Sequence, residues 1–264
     1  MSVMGVFCSI SLYWASSASY SFCSFRCLEV SLLSSFFLTF MATSTDSVQI
    51  GGGIGNVARN APFIIARTLN AVSFIGAIVI AILTASAISR DRELGSREIF
   101  YSTPLRKLPF LGGRFVGSVL VAAATVVGAA VGIALASVMP WQDAQQIQPF
   151  SAAPYIYAFA AFVLPNLVLA GAIFFAVALL TGRALYTYVA MIGFFAFYGI
   201  AQSFLGDLED EALAVLIDPF GVAALDLLTR YWTIAERNTL LPAIEGPLLF
   251  NRLIWSAIKA SPHH

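Results

Sequence analysis

Long unbroken apolar runs, separated by short polar stretches, dominate the pattern along the chain. Residues 69–89, 115–138, 155–180 and 185–204 are built mainly of Ala, Val, Leu, Ile, Phe and Gly. A helix rises about 1.5 Å per residue, so roughly 20 such residues cross a hydrocarbon core about 30 Å thick. Each of these four windows predicts a spanning helix. A fifth window, 30–42, is short, and predicts a span only if it recruits part of the apolar, serine-rich stretch upstream. The predicted fold class is all-α, a polytopic helical membrane protein with about five transmembrane helices. Three regions are expected: an atypical Ser/Cys-rich apolar start over 1–29, a transmembrane domain over 30–204, and an extracytoplasmic amphipathic segment over 205–264.

Composition agrees with the pattern. Of 264 residues, 59% are hydrophobic and 11% charged, whereas soluble domains carry about a quarter of their residues as charges. Fourteen basic residues balance fourteen acidic ones. That balance gives no electrostatic footprint for nucleic acid, so the lipid bilayer is the expected environment and nucleic acid is not an expected partner. Disorder is excluded too, because so apolar a chain has ample surface to bury. Cys8, Cys23 and Cys27 all lie near the start and form neither a distributed disulfide framework nor a paired-ligand zinc site. The first basic residue is Arg26, so the start does not read as a secretory signal.

Orientation follows from where the basic residues fall, because cytoplasmic loops retain Lys and Arg. Arg90, Arg92, Arg97, Arg106, Lys107 and Arg114 follow the 69–89 window, and Arg183 follows the 155–180 window. Alternation puts both places on one side, predicted to be cytoplasmic. The opposite loops, 43–62 and 139–154, hold only Arg59 between them. The segment from Gly206 onward then lies outside, where its prolines and its Trp232 and Trp255 predict short amphipathic helices on or above the membrane surface. An apolar run starting at Leu248 reads as an incomplete sixth span.

Candidate chemistry is sparse. Gly53, Gly55 and Ala58 match a dinucleotide-binding pattern, but that motif needs a strand before it and an acid about twenty residues on, where this chain has apolar helix. No phosphate-binding GxxxxGK[ST], GxSxG or HExxH occurs, so neither a cofactor nor an enzymatic activity is expected of this chain. Asn70, Ser73, Thr84, Asn166 and Gln202 are the polar residues expected at membrane depth, and interhelical hydrogen bonding is the expected role of each. Pro165 beside Asn166 predicts a kink. Gly113, Gly117, Gly128 and Gly132 form small-residue registers predicting a helix-packing face, within the fold or across a dimer.

The loop beyond residue 89 is the most informative stretch. Arg90, Asp91, Arg92, Glu93, Arg97 and Glu98 alternate charge at helical spacing, and Ser102, Thr103 and Pro104 form a capping arrangement. Two short surface helices joined at that turn are predicted. As plain surface their ion pairs are worth little; as a docking surface they would receive a soluble partner.

Arg90 to Gly95, then Ser102 to Pro104, Arg106 and Lys107, and the run from Gly113 to Phe115 resemble the signature of ABC-type exporter permeases. Further stretches, among them those around Asp46, Asn56, Arg59, Met139, Asn166, Asp218 and Thr229, resemble the membrane half of a bacterial subgroup often fused to a zinc aminopeptidase-like domain. The resemblance covers residues 30–255. It implies a permease subunit in the inner membrane, an ABC ATPase partner coupled through the 90–114 loop, and assembly as a homodimer or with a paired permease half. Residues before Val30 do not resemble the family's start, and the expected sixth span is missing, so a truncated, non-transporting membrane protein is the competing expectation.

Overall fold

The computed structural model describes residues 20–44, 57–93, 107–140, 147–205 and 218–241, and among these every regular element is a helix. Five long helices follow in order: α1 (Tyr20–Ser44), α2 (Pro62–Glu93), α3 (Lys107–Ala136), α4 (Ala153–Thr181) and α5 (Ala184–Leu205). Two short ones come after them, α6 (Val222–Thr229) and α7 (Ile234–Thr239). Three spans stand out as long and apolar enough to cross a bilayer, Pro62–Ile88, Pro109–Ala136 and Ala153–Thr181, while α1 and α5 contribute the shorter apolar stretches Glu29–Met41 and Ala184–Ile200. Each corresponds to one of the apolar windows in the sequence.

Helix α2 is the hub. It packs against α3, α4 and α5, and Leu69, Ile80, Val126, Phe162, Leu167 and Phe174 bury completely between them. The opposite faces carry exposed apolar side chains such as Leu120, Val131, Ile192 and Phe197, the surface a lipid-facing helix presents. Helices α4 and α5 turn back on each other through Gly182 and Arg183 alone. Gly182 has φ 61°, a left-handed conformation that only glycine adopts without strain, and its N–H closes the helix onto the Ala178 carbonyl at 2.8 Å.

Helix α1 packs on α3 through hydroxyls and backbone. The Ser31 and Thr125 hydroxyls lie 2.9 Å apart, Ser35 Oγ donates to the Thr125 carbonyl at 2.8 Å, and Thr39 Oγ1 donates to the Ala129 carbonyl at 3.1 Å. Partner numbers rise together, so the two helices run parallel. Gly128 and Gly132 make this approach possible: a Cβ on Gly132 would sit 2.5 Å from Thr39 Oγ1 and 2.6 Å from the Phe36 carbonyl oxygen. Gly113 and Gly117, on the same helix, face open space within this chain.

Near Pro165, where a kink is expected, the helix departs from α geometry. Proline has no N–H, and its ring crowds the carbonyl four residues back. One turn upstream, over Phe159–Val163, α4 widens into a π turn in which the Leu164 N–H reaches five residues back to the Phe159 carbonyl. The helix then resumes in α geometry with Pro165 in its first turn.

Candidate functional site

Three places carry the polar chemistry of the bundle. At one end, α2 runs for 32 residues, about 48 Å, well beyond a hydrocarbon core of about 30 Å. Arg90, Asp91, Arg92 and Glu93 form its last turn, so the first of the two expected surface helices is, as far as Glu93, a continuation of α2 rather than a separate element. Gly95, Arg97, Glu98, Ser102, Thr103, Pro104 and Arg106, with the expected turn, lie outside the described residues; Lys107 opens α3. Arg114 closes the base of this loop. Its guanidinium lies over the Phe110 ring at 4.5 Å, and Nη1 donates to the Ala87 carbonyl, tying the start of α3 to the far end of α2. Arg183 sits at the same end, in the α4–α5 turn.

Inside the bundle is a buried polar node. Asn166, 1% exposed, donates from Nδ2 to Asn70 Oδ1 at 2.9 Å, to Ser73 Oγ at 3.0 Å and to the Phe220 carbonyl at 3.2 Å. Ser73 Oγ in turn donates to the Asn70 carbonyl at 2.6 Å. Three of the five polar residues expected at membrane depth therefore meet in one place. Thr84 differs: its hydroxyl bonds back within α2 to the Ile80 carbonyl at 2.8 Å, the usual way a helical threonine satisfies itself. The Gln202 side chain lies outside the described residues.

The third place is the opposite end, where the segment after α5 returns into the bundle. Phe220, 2% exposed, stacks on Phe74 with ring centroids 4.1 Å apart and meets Tyr198 at 5.3 Å and Phe194 at 6.0 Å. Asp218 holds the turn: Oδ1 accepts from the Phe220 N–H at 3.0 Å and from Tyr198 Oη at 3.3 Å, and Oδ2 accepts from the Ala223 N–H at 2.6 Å. Asn70 lies eight residues into α2, about 12 Å along its axis, and the 218–221 turn reaches that level. The segment expected on or above the membrane surface is thus seated in the bundle at its start. The reason is packing: a buried aromatic cage and an amide donor outweigh the polar turn's preference for water.

From there the segment climbs back along α2. Arg67 pairs with Asp226 at 3.7 Å, the Arg237 guanidinium covers the Phe63 ring at 5.2 Å, and the Ala58 N–H donates to Asn238 Oδ1 at 2.8 Å. Asn60 joins the adjoining loops by a reciprocal pair with Gln148, donating to its carbonyl at 2.5 Å and accepting from its N–H at 2.7 Å. Thr233 and Glu236 form a capping box at the start of α7, and the Thr233 N–H holds the Glu236 carboxyl below its ordinary range. Sequence reasoning missed the seat of Phe220 and the contact of Ser31, Ser35 and Thr39 with Thr125 and Ala129. For the second, a signal was present, hydroxyls spaced every four residues along one helix.

Among the described residues no group of three His, Cys, Asp or Glu side chains could hold a metal ion. A bundle of apolar helices, a charged helix end and a polar node suit passage through a membrane better than bond making. The family pattern described as ABC-2 family transporter protein matches residues 8–224. The chain belongs to that family. It is a multi-pass membrane protein and an ABC transporter permease, a transport component of a family that works with an ABC ATPase. The match begins within the Ser/Cys-rich start, upstream of the position where the sequence resemblance begins, and ends within α6. No curated protein and no solved structure matches the permease.

Proposed function

We propose that this permease exports its substrate across the cytoplasmic (inner) membrane, driven by a separate ABC ATPase that docks on the 90–114 loop. The observation that carries the reading is the architecture of that end. Helix α2 extends its charged turn past the apolar span, and Arg114 fastens the helix that follows to the Ala87 carbonyl. A force applied to the loop between them is thereby delivered to α2, the helix that contacts α3, α4 and α5. Arg90, Asp91, Arg92, Glu93, Gly95, Arg97, Glu98, Ser102, Thr103, Pro104, Arg106 and Lys107 would form the coupling surface. The working unit is a homodimer or a pair with a second permease half, whose translocation path lies between the two halves.

Reversing the charge of Glu93 or Arg97 tests the docking. Like charges brought together across an interface weaken it, so recovery of the cognate ATPase by pull-down should drop about tenfold with membrane insertion unchanged. Equal ATPase recovery by both mutants and the parent sinks the proposal.

A further inference from the structure

The buried node has a bonding imbalance that the transport reading does not use. The Asn166 amide has two N–H bonds, and three acceptors compete for them: Asn70 Oδ1, Ser73 Oγ and the Phe220 carbonyl. Asn166 Oδ1 and Asn70 Nδ2 are meanwhile buried with no hydrogen-bond partner. An unmatched acceptor and an unmatched donor thus belong to two amides already in contact through their other ends. Flipping the Asn166 amide in place would set its oxygen against the Phe220 carbonyl, so the imbalance is inherent in the seated turn. Buried polar groups left in this way are costly, and here each is the complement of the other.

We propose that the node is a two-position catch for the 218–221 turn. In the closed position, the one described above, Asn166 holds the Phe220 carbonyl and the Phe220 ring fills the cage of Phe74, Phe194, Phe195 and Tyr198. In the released position the turn lifts toward its own end of the bundle, where the Phe220 carbonyl finds water. Asn166 then rotates to pair with Asn70 in both directions, Asn70 Nδ2 donating to Asn166 Oδ1 and Asn166 Nδ2 donating to Asn70 Oδ1. The second arrangement satisfies both orphaned atoms, which offsets the lost bond to Phe220. The aromatic cage favours the first. Two discrete bonding patterns of one side chain, each supported by a different set of contacts, give the mouth of the bundle a closed and an open position.

Only a catch gives Asn166 and Asn70 opposite effects. Removing Asn166 deletes the hold on Phe220. Removing Asn70 leaves Asn166 with two N–H bonds for two acceptors, Ser73 and Phe220, so both donors are matched in the closed position while the released one loses its pair. Release is read from a cysteine at Ala224, a buried α6 position, in the 264-residue chain with Cys8, Cys23 and Cys27 replaced by Ser. The protein is held in lipid nanodiscs without ATPase and labelled with a membrane-impermeant maleimide, so the readout does not depend on the coupling reading. Asn166→Ala should label about three- to tenfold faster than the parent and Asn70→Ala about three- to tenfold slower. Asn166→Ser, too short to reach Phe220, replaces the first variant if it does not fold. Faster or unchanged labelling in Asn70→Ala overturns the proposal, since a node that only packs would loosen when either amide is removed.

Discussion

Gly132 and Gly117 lie on the same helix, yet the same substitution should act on them with opposite sign. At Gly132 a new Cβ would sit 2.5 Å from Thr39 Oγ1, 2.6 Å from the Phe36 carbonyl oxygen and 3.3 Å from the Phe40 nitrogen. Two of those three atoms are backbone and cannot rotate away, so α1 must back off from α3. Overpacking of this kind costs about 1–3 kcal/mol. The displacement also stretches the Thr39–Ala129 bond, and interhelical bonds in membranes average about 0.6 kcal/mol. Against this, alanine lowers the entropy cost of the helix by about 0.5–1 kcal/mol relative to glycine. Gly132→Ala should therefore lose about 1–3 kcal/mol net. Gly117→Ala meets nothing within 4 Å and retains only the gain, about 0.5–1 kcal/mol. Unfolding of both variants by increasing SDS in mixed micelles measures the difference directly. If Gly132→Ala proves as stable as Gly117→Ala, α1 does not pack on α3 at this closeness. If Gly117→Ala is the destabilised one, that face meets a second chain.

Other substitutions probe the remaining contacts. Phe220→Ala should cost about 3–5 kcal/mol in the same unfolding assay, because it empties the centre of an aromatic cage; a loss below 1 kcal/mol would mean the turn is not seated. Gly182→Ala should cost about 1–2 kcal/mol through left-handed backbone strain, and a neutral result would refute that turn geometry. Breaking the half-exposed Arg67–Asp226 pair should change stability by no more than about 1 kcal/mol, an effect that salt removes. Single cysteines at Ser102 and Arg183 should react with an impermeant thiol reagent only after lysis, and those at Asn56 and Gln145 in intact cells; labelling of Ser102 from outside would invert the topology.

The spans were legible because apolar length alone decides them: each of the five windows between residues 30 and 204 became a helix or part of one, while the run from Leu248 lies outside the described residues. Legibility failed where a residue's place depends on a partner far along the chain. Phe220 looks like one residue of a polar turn, and nothing local announces that Phe74, Phe194, Phe195 and Tyr198 wait for it on two other helices. Asn166 was readable as a hydrogen-bonding residue by its type, but Asn70 and Ser73 as its partners required the α2–α4 packing. The serines of α1 were obscured by composition. Ser31, Ser35 and Thr39 belong to a stretch whose Ser and Cys content sets it apart from the later spans, and the fixed spacing that aligns them on α3 carries the information instead. The charged end of α2 shows the same limit in reverse, since its residues were singled out by pattern while the helix running through them was visible only from the fold.

The π turn in α4 has a consequence for phase. A turn that holds one extra residue rotates everything after it by about 100° relative to an uninterrupted α-helix. The residues of α4 before Phe159 and those after Val163 thus share an axis but not an angular origin. Asn166 faces α2 because of that offset. Deleting a single residue between 159 and 163 would let α4 run as an unbroken α-helix with Asn166, Ala170 and Phe174 still against α2, whereas forcing the wide turn into α geometry with its residue kept would swing them round by about 100°. One residue of surplus length, placed a turn ahead of a proline, therefore acts as the angular setting for the whole lower half of the helix.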